Sequence, residues 1–319
     1  MKNPLLRGIT ATVLACLPLL TWAWPEHPIR VIVPYSAGGG ADTTMRILAQ
    51  HMSGTLGQQI VVENKPGAGG VIGAEHVAKA AADGYTVLYD ASAFAVNPTL
   101  RKIPYDATAD FIPVALVATA PQILVIAANA PWKTFAEFAD HARQNPGTLS
   151  FASAGAGTGS HLAAEALSEQ AGIRLLHVPY KGGAQALTDV MGGQVSAYFG
   201  NAASTLSYVQ SGKLKALAVS SAHSVAGLPE VPTLAQAGLP GYNVVEWNGV
   251  FLPKGTPPDV VAKLSNAVRA AIADPHTQSR LLGMGLVPAG TTPDAFASFV
   301  QAEIRRVAAL LQARKITLE

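Results

Sequence analysis

Cysteine is almost absent from this chain of 319 residues: the single one, Cys16, lies in the apolar N-terminal stretch. Once that stretch is removed no thiol remains, which excludes disulfides, thiolate metal sites and a cysteine nucleophile. The eight histidines are scattered, without H-x-x-x-H or H-E-x-x-H, so neither catalytic zinc nor any cofactor is expected. Charge is scarce as well. Charged residues make up 13%, with 22 Lys+Arg against 20 Asp+Glu, and no acidic or basic tail. Lys2 and Arg7 fall in the N-terminal stretch, so the remainder is neutral and has no electrostatic footprint for nucleic acid or an anionic membrane. Nucleotide signatures are missing too. Thr43 stands where the third glycine of G-x-G-x-x-G would be, and Gly212-Lys213 is followed by Leu214 rather than Ser or Thr. No G-x-S-x-G elbow occurs.

What is present begins with an export signal over 1–23. Lys2 and Arg7 precede an apolar run, Ile9 to Leu20, that is too short to span a bilayer, and Thr21-Trp22-Ala23 provides a cleavage site. Val13-Leu14-Ala15-Cys16 loosely matches a lipoprotein processing site, an alternative weakened by its place inside the apolar run.

The chain is organised around Ile29 to Leu48. A β-branched strand, Ile29 to Val33, is closed by Pro34; Gly38, Gly39 and Gly40 form a loop; and a helix follows Asp42 until Gly57. Strand, glycine loop and helix start together favour an anion. The same order returns at Phe151 to His161, with Gly155, Gly157 and Gly159 in the loop and Ser160 as a candidate N-cap. Strands and helices otherwise alternate, which predicts mainly parallel sheets. Two long extended segments, Ile112 to Ala128 and Tyr242 to Leu252, break the rhythm and are placed to cross between sheets. The expected architecture is α/β, two units joined by two crossings, with helices after Thr134 and after Thr256-Pro257 and Thr292-Pro293.

Ligands of such sheets bind beyond the carboxyl ends of strands, so the loops 34–42, 90–98, 153–161 and 199–205 are expected to share a cleft. None contains Lys or Arg. A carboxylate there would be met by backbone N–H groups, by the hydroxyls of Ser36, Ser92, Ser153, Thr158 and Ser160, by the Asn201 amide and by water. Phe94 and Trp247 are placed either to stack on a ligand or to pack in the core, and Lys181 either to reach the ligand or to sit on a turn. The competing chemistry is an exported serine hydrolase using Ser160 or Ser153, although Ser160 and His161 are neighbours and do not face each other as a triad would.

Several segments together carry a resemblance. They include Val33-Pro34-Tyr35, the Gly-Gly-Gly-x-Asp of 38–42, Val62-Glu63-Asn64-Lys65-Pro66-Gly67-Ala68-Gly69-Gly70, Asp83-Gly84-Tyr85-Thr86, Asn97-Pro98, Ala152-Ser153-Ala154-Gly155, His177-Val178-Pro179-Tyr180-Lys181-Gly182 and Val231-Pro232-Thr233. In this order they resemble the Bug-type substrate-binding proteins of tripartite tricarboxylate transporters. The resemblance implies a type II periplasmic binding protein fold, with domain 1 from 24–123 plus 248–319 and domain 2 from 124–247. It implies a periplasmic, non-enzymatic receptor, monomeric, that hands a di-, tri- or aromatic carboxylate to membrane subunits; a ligand-sensing subunit for a sensor kinase is the other use of such a receptor. Carried over by position, Tyr35, Ser36, Ala37, Gly38, Gly39 and Asp42 grip the ligand from one side. Gly155, Gly157, Thr158, Ser160 and His161 grip it from the other, with Ser92 and Asn201 lining the cleft. Where relatives often carry Phe-Asp-Asn this chain has Phe199-Gly200-Asn201, and loss of that acid predicts a plain carboxylate rather than an amino acid.

Overall fold

The computed structural model describes residues 24–313 except 36, 39 and 181, so the expectations for the export signal, Cys16, Ser36, Gly39 and Lys181 lie outside the described residues. The first half alternates as its periodicity predicts. Its elements are β1 (Ile29–Val33), α1 (Gly40–Leu56), β2 (Ile60–Asn64), α2 (Val71–Ala78), β3 (Thr86–Ala91), α3 (Ala93–Leu100) and β4 (Phe111–Ala120). Pro121 then separates β4 from β5 (Gln122–Ala127), and the two strands enter different sheets. The second set runs α4 (Phe135–Gln144), β6 (Ser150–Ser153), α5 (Gly159–Ala171), β7 (Leu176–Pro179), α6 (Gly183–Met191), β8 (Ala197–Asn201), α7 (Ala202–Gln210) and β9 (Leu214–Val219). The chain returns through β10 (Glu246–Pro253) and ends in α8 (Pro258–Ala273), α9 (Pro275–Gly283), the short β11 (Val287–Pro288) and α10 (Pro293–Ala313).

The sheets have orders β11-β4-β10-β3-β1-β2 and β7-β6-β8-β5-β9. Within each, a parallel trio (β2-β1-β3, β7-β6-β8) is continued by one antiparallel strand that has crossed from the other lobe, β10 leading on to β4 and β11 in the first sheet and β5 to β9 in the second. The expectation of mainly parallel sheets is corrected on this point. A strand arriving from the opposite lobe enters with reversed direction, and it becomes the partner of both neighbours.

Two local readings also shift. The segment read as a loop over 90–98 contains α3, since Pro98 sits inside a helix whose N-terminal residues Phe94, Ala95, Val96 and Asn97 are buried. Packing of that face outweighs the N–H that proline lacks. Helix α8 starts one residue later than expected: Pro257 is its N-cap, and the Thr256 hydroxyl instead bonds the Pro253 carbonyl. Thr134 caps α4 as read, accepting the Glu137 N–H at 3.2 Å, while Glu137 Oε2 accepts the N–H of Lys133. Thr134→Ala is expected to cost about 1 kcal/mol in denaturant unfolding; no change in the midpoint would show that the cap adds nothing.

Both faces of each sheet are covered. In the first lobe α1 and α8 bring Met45, Leu48, Leu264 and Val268 to one face, while Phe94, Trp247, Phe251 and Phe296 fill the other under α3 and α10. The second lobe is packed by α4 and α5 on one side and α6 on the other. A further apolar cluster joins the lobes: Val96 of α3, Leu162 of α5, and Val307, Leu310 and Leu311 of α10.

Candidate functional site

Each lobe offers the strand ends the sequence pointed to, and the two crossing strands bring them together. Ser92, just past β3, accepts the N–H of Trp247 on its Oγ at 2.8 Å. The residue before Trp247 is Glu246, the first of β10, whose Oε2 accepts the Asn201 amide from the end of β8 at 2.7 Å. Its Oε1 lies against the backbone of Gly159, where α5 begins; a Cβ on Gly159 would stand 2.5 Å from that oxygen and 2.7 Å from Gln122 Nε2. Ser92, Glu246, Asn201, Gly159 and Gln122 thus form one polar centre drawn from both lobes. Beside it opens a cavity of about 350 Å³, lined among others by Ser160, Tyr198, Asn201, Tyr208 and Glu246. A larger hollow of about 540 Å³, around Arg30, His76 and Lys79, takes no residue from the second lobe and none of the predicted loops.

Two carboxyls govern the electrostatics, and sequence reading assigned a role to neither. Burial pushes Glu246 above the usual carboxylate range, opposed by the Asn201 hydrogen bond. Asp90, fully buried at the end of β3, is pushed up to about 7 by its burial, although its Oδ1 accepts the Tyr35 hydroxyl at 2.6 Å and the N–H of Ala91. The Tyr35 phenol is itself raised, first by burial and then by the charge of Asp90. The signal for Glu246 was present as a lone acid in the apolar run Tyr242 to Leu252.

The glycine loops are more self-contained than expected. Gly38 N–H donates to Asp42 Oδ2, and the same carboxylate holds Arg46 and the Asn64 amide; these partners lower its pKa against the opposing effect of burial. Asp42 therefore organises its loop from within, and Ala37 and Gly38 are exposed outside the cavity. In the second lobe Ala154 N–H donates to Ser160 Oγ, Gly155 N–H to Ser153 Oγ, and Gly157 N–H to His161 Nδ1. Thr158 bonds the Gly155 carbonyl and the Ser160 hydroxyl. The loop amides read as ligand donors are thus satisfied by their own loops. Gly157 has φ +78, a conformation that suits glycine and turns its N–H toward His161.

Behind that loop Ser153 is fully buried, its Oγ 2.7 Å from His177 Nε2, and His177 stacks on His161 at 3.9 Å. Burial and the neighbouring imidazole bring His177 down to about 4. Two expectations are corrected outright. Phe94 is fully buried, stacked on Phe251 at 4.3 Å, and Trp247 is fully buried against Phe251, Phe296 and Phe299. Both point into the apolar face of the first sheet, so neither can stack on a ligand.

A family model described as the tripartite tricarboxylate transporter family receptor matches residues 44–316. The chain belongs to this receptor family. A protein of Pseudomonas sp. strain P51, from the tcbD-tcbE intergenic region, is 41% identical over 286 residues, covering 89% of this chain and 85% of its own. BugT of Bordetella pertussis is 34% identical over 95% of this chain and 94% of its own. The solved structure of R. palustris Rpa4515 with adipate superposes with a TM-score of 0.82 at 32% identity, over 92% of this chain and 99% of that one. The fold is accordingly that of a type II periplasmic binding protein, and the receptor is a solute-binding protein rather than an enzyme.

Geometry agrees with the family against the hydrolase alternative. Ser160 Oγ is engaged by Ala154 and Thr158, while His161 turns its Nδ1 to Gly157. Ser153 does have an imidazole partner, but the pair is sealed from substrate by complete burial of the serine.

Proposed function

We propose that this periplasmic receptor captures a small carboxylate between its lobes and hands it to the membrane subunits of a tripartite transporter, acting as a monomer after loss of residues 1–23. The observation that carries the reading is the polar centre at the two crossings, where Ser92 of the first lobe and Glu246 of the crossing strand meet Asn201 and Gly159 of the second lobe beside a cavity. The lobes of this reading are 24–123 with 248–319 and 124–247, a division supported by the presence of two separate sheets. The adipate held by the R. palustris relative supports a carboxylate as the ligand class. Among the predicted site residues, Ser160 and Asn201 line the cavity and Ser92 holds the backbone beside Glu246, while Tyr35 bonds Asp90. The exposed loop at Ala37 and Gly38 is positioned by Asp42 to meet the ligand when the lobes close.

A thermal-shift panel of mono-, di-, tri- and aromatic carboxylates tests the proposal. A true ligand at about a hundred times its Kd adds roughly 2.7 kcal/mol, a rise of roughly 5 °C. A panel at millimolar concentration that leaves the melting temperature unmoved would count against a carboxylate receptor.

A further inference from the structure

We propose that the ligand carries a positive charge beside its carboxylate, and that Glu246 is the residue that selects for it. The inference rests on the receptor reading of this cleft and narrows its ligand class to short amino carboxylates.

Glu246 lines the cavity, and no lysine or arginine among the described residues does so. Its carboxylate has one neutral donor, the Asn201 amide at 2.7 Å on Oε2, and its Oε1 lies against Gly159 at the start of the thirteen-residue helix α5. Burial raises this carboxyl against the Asn201 hydrogen bond, and an ammonium beside it would favour the ionised form. The electropositive helix end that would receive a ligand carboxylate in the second lobe therefore faces the chain's own carboxylate. A second anion brought there meets like charge in a desolvated setting, whereas an ammonium supplies the missing counter-charge.

Gln122 lies beside Glu246 and outside the cavity lining. It is 1% exposed, and neither its Nε2 nor its Oε1 has a partner among the described residues. Its Nε2 lies against the same point of Gly159 as Glu246 Oε1. An ammonium has three N–H donors, and the two oxygens of the Glu246 carboxylate can take more than one of them. The apolar part of the lining, Ala184, Leu187 and Phe199, suits a short methylene chain.

The acid expected within Phe199-Gly200-Asn201 is in this way supplied from elsewhere. A Cβ at Gly200 would stand 2.1 Å from the Oγ1 of buried Thr205, so residue 200 has no room for an aspartate, and Glu246 reaches the adjacent Asn201 from the crossing strand.

Calorimetric titration of the mature chain with matched pairs reads the inference: aspartate with succinate, glutamate with glutarate, 4-aminobutyrate with butyrate. In at least one pair the amino member is expected to bind about tenfold tighter or more, and Glu246→Gln to erase that ratio by weakening the amino member and strengthening its partner. A thermal melt confirms that the variant folds, and the wild-type ratio decides the matter without it. Plain carboxylates that bind as well as their amino partners, or an amino preference that survives Glu246→Gln, overturn the inference and leave the receptor reading standing. If no member binds wild type or variant, the carboxylate reading falls and the inference with it.

Discussion

Asp90→Asn is expected to stabilise the receptor more at pH 8 than at pH 4.5, by a difference of roughly 3 kcal/mol. Asp90 is fully buried, and burial lifts its carboxyl from 3.8 to about 7 in the folded protein. Between those values the folded state holds a proton that the unfolded chain has released. Stability contributed by Asp90 is therefore complete below about pH 4 and is lost as pH rises to about 7. His177 works in the opposite sense. Its folded value of about 4 lies below 6.5, so its contribution grows as pH rises across that interval. The wild-type profile should consequently be shallow, and removing Asp90 should expose a rise between pH 4 and 6.5. Asparagine keeps an oxygen for the Tyr35 hydroxyl and the Ala91 N–H, and it replaces only Oδ2, which has no partner among the described residues. Urea unfolding of both proteins from pH 4.5 to 8 measures the gap. A gap independent of pH would mean that Asp90 titrates like an exposed carboxylate.

Phe296→Ala should cost about 3–5 kcal/mol, and Gly249→Ala about 1–3 kcal/mol, yet the double variant should be little worse than Phe296→Ala alone. Phe296 of α10 is fully buried against Trp247, Phe251 and Phe299. Its ring lies directly over Gly249 of β10, where an added Cβ would stand 2.1 Å from Cζ. With the ring in place that methyl has nowhere to go. With the ring removed it enters the space left behind. Chemical denaturation of the four proteins gives the coupling directly; strictly additive losses would show that ring and glycine do not share this space.

Repeating local patterns were readable from the chain: two strand–glycine loop–helix units, the apolar faces of the terminal helices, and the extended runs on either side of Pro121 and after Tyr242. Each depends on near neighbours in sequence. The site was legible only in part, since Ser160 and Asn201 line the cavity but the expected grip of the loop amides is spent on Asp42, Ser153, Ser160 and His161. Glu246 and Asp90 escaped assignment because an acid acquires its role from what surrounds it after folding. The surroundings of Glu246 come from β8 and α5, far away in sequence. Phe94 and Trp247 were ambiguous for the same reason: an aromatic beside a βα loop reads alike whether its ring faces a cleft or a sheet.

The interleaving of the sheets has a consequence for biogenesis. Strand β10 is laid down more than a hundred residues after β4 yet fits between β3 and β4. Until it has left the ribosome, the first lobe lacks the strand that zips its two halves together, and both facing edges stay unpaired. The first lobe therefore closes only after residues 246–253 have been made, although every strand of the second sheet, β5 to β9, precedes them in the chain.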